Sequence, residues 1–120
     1  MALLTQLFEG LEAGAFAAVT SQLALAEVLV IPFRHHDAAE EERCRLIFAV
    51  RPGFEVLPVN MSVLEAMARM RAAVPSVRTP DAIHAATAQL ADCHLFLTND
   101  DRLRVLPGLT VTLLSEAAVS

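Results

Sequence analysis

Apolar positions along the chain recur with two different spacings, and Gly, Pro and capping residues punctuate them. Leu3, Leu4, Leu7, Phe8 and Leu11 follow helical spacing, with Gly14 as a stop. The short apolar run 15–20 predicts a buried strand. Ser21 can cap a helix running to about Leu29 and ending near Pro32. Asp37 and Glu40 form a capping box before a helix through Arg43, Leu46, Ile47 and Val50. Pro52-Gly53 marks a turn, and residues 54–59 alternate weakly as a strand. Ser62 and Glu65 suggest a second capping box, for a helix to about Val74 stopped by Pro75. Thr79-Pro80-Asp81 predicts a helix start: a capping threonine, proline in the first turn, and an acid near the positive dipole end. That helix should reach about Ala91. Residues 94–97 then predict a strand, Asn99-Asp100-Asp101 a polar turn, and residues 109–114 a last strand.

Strands that alternate with helices, and strands that are short unbroken apolar runs, predict an α/β fold. Its sheet should be mostly parallel and covered on both faces, as a three-layer sandwich. The 120 residues suit a single domain spanning 1–120, and no repeat or linker interrupts them. Hydrophobic residues make up 55% of the chain, which excludes a disordered protein. The most apolar region, 13–33, contains Glu27 and closes on Pro32, so no membrane span is expected. No basic residue precedes Arg34, so the charged start of a secretory signal is missing and a cytoplasmic location is expected. Cys44 and Cys93 fit no metal-ligand spacing and read as reduced thiols. The net charge is −5 and all nine cations are arginine, so any contact with nucleic acid must be local.

Sites on parallel sheets form beyond the carboxyl ends of strands. Three acids fall there or on adjoining helices: Glu27, Asp81 and Asp100. Singly, each has an ordinary reading. Asp81 is favoured at any helix start, Asp100 in any turn or cap, and Glu27 could be a paired core carboxylate amid Leu23, Leu25, Val28 and Leu29. Together they would gather negative charge around one crevice, which a cation must offset. Mg²⁺ or Mn²⁺ suits such oxygen donors and can assist phosphodiester cleavage. Arg69, Arg71 and Arg78 could form a phosphate-contacting edge or a solvated helix face. His35 and His36 read as a solvated loop pair, and His84, one turn after Asp81, as a packed helix histidine.

Three segments carry a family resemblance. Ser21–Leu29 resembles the segment of PIN domains in which a serine-led helix bears a glutamate. Arg78–Ala88 is similar to the segment bearing the family's third acid, and Leu97–Asp100 to the one bearing its fourth. Leu106–Leu109 is similar to the closing turn of VapC-type members. The resemblance implies a toxin-like endoribonuclease using Mg²⁺ or Mn²⁺ held by Glu27, Asp81 and Asp100, with Asp101 assisting. It also implies an RNA substrate, an antitoxin protein partner and a homodimer. One departure stands out: the family opens with a central strand ending in an aspartate, and here no aspartate precedes Asp37. Relative to the family, the chain is expected to be N-terminally truncated and its metal site weak. The alternative is a non-catalytic, degenerate PIN module that acts through protein binding; a further one is an unrelated small-molecule-binding α/β domain. Without the central strand, residues 16–20 and 94–97 would either pair directly in a four-stranded sheet or be completed by a second chain, and the second chain is the preferred expectation.

Overall fold

The computed structural model describes residues 17–49, 51–93, 96–98, 101–106 and 108–113. The chain divides into two compact units, 1–58 and 59–120. Both combine helices with a pair of parallel strands, so the α/β class and the parallel pairing are as expected.

In the first unit, strand β1 (Ala18–Ser21) runs straight into helix α1 (Gln22–Arg34). Ser21 is 1% exposed and keeps an extended backbone. Its Oγ accepts from the Leu23 amide at 3.1 Å, so one residue ends the strand and caps the helix. The helix runs past the expected stop, because Pro32 sits inside its last turn. A proline there withdraws the amide that would serve the Val28 carbonyl. The buried Cys44 thiol of helix α2 (Ala38–Ile47) donates to that carbonyl instead, at 3.8 Å. Beyond Pro32, the Asp37 amide donates to Pro32 O at 2.9 Å and the His36 amide to Phe33 O at 3.2 Å. This is a Schellman closure, with His36 in the left-handed region at φ 53° where glycine is usual. Asp37 then caps α2 by accepting from the Glu40 amide at 3.0 Å, as the capping box predicted. Arg51 closes the other end, donating to Leu46 O at 2.6 Å and Ile47 O at 3.3 Å. Pro52-Gly53 forms the expected turn, with Gly53 at φ 78° and the Phe54 amide bonded to Arg51 O at 3.2 Å. Strand β2 (Phe54–Leu57) pairs with β1 in parallel register, Ala18 opposite Phe54 and Ser21 opposite Leu57.

The second unit opens with helix α3 (Met61–Ala73). Its cap is Asn60, which accepts from the Val63 amide at 3.0 Å; Ser62 falls inside the first turn, contrary to the capping box read there. Helix α4 (Thr79–Leu90) likewise begins one residue early. The Arg78 carbonyl accepts the first helical bond, from Ala82 at 2.9 Å, which makes Arg78 the cap and Thr79 the first helical residue. Ala82, Ala85 and Ala86 are fully buried, small enough to leave room for close neighbours. Ala82 and Ala85 share a core with Met70, Val77, Leu103 and Leu106, against which Phe96, Leu109 and Val111 pack. The helix ends in a second Schellman closure: Cys93 N to Ala88 O at 3.0 Å and Asp92 N to Gln89 O at 3.1 Å, with Asp92 at φ 55°. Strand β3 (Phe96–Thr98) pairs in parallel with β4 (Val111–Leu113) around a 3₁₀ turn (Asp101–Val105). The described strands form two parallel ladders of two, one in each unit. Phe16, His94 and Leu95, part of the strands expected there, lie outside the described residues, as does the predicted helix at 1–12.

Candidate functional site

Asp81 is the third helical residue of α4, inside the turn whose amides have no partner within the helix. Negative charge is favoured there by the helix dipole. The residue is half-buried and precedes the fully buried Ala82, so its backbone is anchored in the core while its carboxylate reaches the boundary. Among the described residues no ion pair or hydrogen bond occupies that carboxylate. An anchored oxygen donor left unpaired fits a hard divalent cation, which carboxylates serve well. His84, one turn on, is half-buried and engaged in a contact of its own.

Glu27 lies in the middle of α1 and is exposed. The expectation that it risks burial among apolar neighbours is corrected: Val28, Val30, Ile31 and Phe33 of the same helix are themselves 41–59% exposed, so water reaches this stretch. Asp100 lies outside the described residues, between β3 and the 3₁₀ turn that Asp101 opens. Among the described residues no three His, Cys, Asp or Glu side chains form a metal cluster.

The three arginines ahead of Asp81 differ in their partners. Arg69 pairs with Glu65 at 3.6 Å along α3. The Arg71 Nε donates to Val77 O at 3.0 Å and ties the end of α3 to the turn before α4. Arg78 alone of the three stays exposed without a side-chain partner among the described residues. Sequence reasoning placed Thr79 at the cap because threonine before proline is the stronger local signal; which carbonyl takes the first helical bond is decided by the turn that Arg71 and the buried Val77 hold. His35 and His36 are exposed, as expected, yet serve as the closing turn of α1.

A shallow groove lined by Ala66, Met70, Ala73, Leu90, Arg69 and Gln89 lies at the far end of α4. Asp81 and Gln89 are eight residues apart, about 12 Å along the axis, so the groove is separate from the acid. No described helix is long and apolar enough to cross a membrane.

The family model described as PIN domain matches residues 4–109. Among solved structures, a chain of a toxin–antitoxin complex from Klebsiella pneumoniae is 26% identical with a TM-score of 0.65, over 92% of this chain and 91% of that one. A chain of VapBC2 from Rickettsia felis, bound to a DNA fragment from its promoter, is 16% identical with a TM-score of 0.69, over 88% of this chain and 83% of that one, a likeness of fold. No curated protein sequence matches. With a family match that runs through both compact units and takes in the segments bearing Glu27, Asp81 and Asp100, the chain belongs to the PIN domain family.

Proposed function

We propose that this chain is a VapC-type PIN domain, a Mg²⁺- or Mn²⁺-dependent endoribonuclease of the toxin–antitoxin kind, with attenuated activity. The observation that carries the reading is Asp81: an anchored, half-buried carboxylate with no described partner, at the start of α4 and inside the family match. Asp81, Asp100 and Glu27 would hold the divalent cation. When bound, that cation lowers the proton affinity of water and offsets charge on the phosphate. The chain supplies the anchored donor at α4, whose carboxylate has no ion pair among the described residues. We read the two compact units as one domain, because the family match spans both. Residues 1–36 contain no aspartate, so the proposed ligands are confined to Glu27, Asp81 and Asp100.

An antitoxin partner is supported by the 26% identical chain, which comes from a toxin–antitoxin complex. A homodimer and a cytoplasmic location complete the proposal. The second reading, a non-catalytic module acting through protein contacts, draws on the exposed apolar residues of α1 and α2, Ile31, Phe33, Leu46 and Ile47 among them. Cleavage of a labelled RNA in Mn²⁺ separates the two. Weak, Mn²⁺-dependent cleavage that Asp81→Asn abolishes supports the nuclease. Cleavage untouched by Asp81→Asn refutes this assignment of the site, and its complete absence at millimolar Mn²⁺ leaves the non-catalytic module.

A further inference from the structure

Resting on the ribonuclease reading above, we propose that Arg78 is the substrate-positioning cation of the Asp81 site and takes a backbone phosphate of the RNA. The chain carries a net charge of −5 and no lysine, so side-chain cations that can offset a phosphate near an acidic site are arginines. In the second unit the arginines differ in what already occupies them. Arg69 is paired with Glu65, Arg71 is spent on the Val77 carbonyl, and Arg102 and Arg104 are engaged in contacts of their own. Arg78 is the one left, among the described residues, with an exposed side chain and no partner.

Its main chain, by contrast, is held firmly. The Arg78 carbonyl accepts from Ala82 at 2.9 Å. The preceding Val77 is 4% exposed, its amide bonds to Val74 O at 3.1 Å, and its carbonyl receives Arg71. A guanidinium rooted on a fixed Cα loses less freedom on binding than one on a mobile loop. Its planar fork suits two oxygens of one phosphate. Asp81 stands three residues on in the same first turn, and no ion pair joins the two among the described residues. Cation and acid are therefore both available at one helix end, one for the phosphate and the other for a metal. Arg78 has no side-chain role in capping α4, so replacing it should leave the fold intact.

The test is fluorescence anisotropy of a labelled RNA oligonucleotide with the full chain in Ca²⁺, titrated at several salt concentrations. Arg78→Ala should weaken binding about tenfold and flatten the slope of log K against log salt by about 0.7. Arg78→Lys should keep the slope but not the full affinity, and Arg69→Ala should bind within about twofold of the parent. Arg78→Gln provides the same charge loss should the alanine variant fold poorly. If Arg78→Ala and Arg78→Gln bind with the parent's affinity and slope while the parent binds RNA, Arg78 is not the contact and the ribonuclease reading stands. If the parent itself shows no RNA binding, the ribonuclease reading fails and takes this inference with it.

Discussion

Two residues hold a backbone conformation that L-amino acids rarely adopt. His36 and Asp92 sit at φ 53° and 55°, each at the closing position of a Schellman turn where glycine has no steric cost. His36→Gly and Asp92→Gly should each raise stability by about 0.5–1 kcal/mol in urea unfolding, and His36→Val should lower it. Equal or lower stability for both glycine variants would show that the histidine and aspartate side chains hold these turns themselves. Asp92 also acts on its neighbour. Burial first, and then the Asp92 charge, push the Cys93 thiol above its ordinary range. Because the folded state favours the protonated thiol, this contribution is fully present below the ordinary thiol range and is lost as pH rises through the folded value. Asp92→Asn should therefore speed alkylation of Cys93 at pH near 8, measured with Cys44→Ala as background. An unchanged rate would mean that burial alone protects the thiol.

At the scale of elements, each helix is defined by how its ends are satisfied. Caps at Ser21, Asp37 and Asn60 each accept one first-turn amide. The first two were legible because a capping residue stood directly before a periodic run. The third was not, because Ser62-x-x-Glu65 offers the same signature two residues later. Asn60→Ala should cost about 1 kcal/mol, whereas Ser62→Ala should cost almost nothing. The reverse order in thermal or urea unfolding would restore the capping box. The persistence of α1 past Pro32 has a different cause. The orphaned Val28 carbonyl finds the Cys44 thiol, a partner supplied sixteen residues away on another helix. No local rule predicts that donor.

At the scale of the whole molecule, exposed apolar surface and the small set of candidate metal-binding acids bear on function. Val30, Ile31 and Phe33 on α1 and Leu46 on α2 are 49–59% exposed, apolar surface of the kind that a second copy of the chain would cover. Light scattering should give the mass of a dimer, and Ile31→Asp with Leu46→Asp should shift it toward the monomer. A parent that stays monomeric at tens of micromolar would show that this face does not join two copies of the chain. Calorimetric titration should find weak Mn²⁺ binding that Asp81→Asn weakens further. Tight binding would show that the family's first acid is dispensable here.

The residue pattern alone determined the α/β class, the order of elements and the family segments, because these depend on local spacing, caps and turns that neighbours in sequence can satisfy. It also picked out Asp81, whose place at a helix start follows from Pro80 and the dipole. What it could not decide was which groups of similar chemistry remain available. Glu27 reads as a buried acid by its neighbours, yet it is exposed because those neighbours are. Arg69, Arg71 and Arg78 look alike along the chain. Only the folded turn, in which one pairs with Glu65, one clamps Val77 and one is left facing water, separates them. Propensity follows from residue type and spacing, whereas availability depends on how each side chain and turn is placed in the folded chain, and that is a property of the tertiary structure.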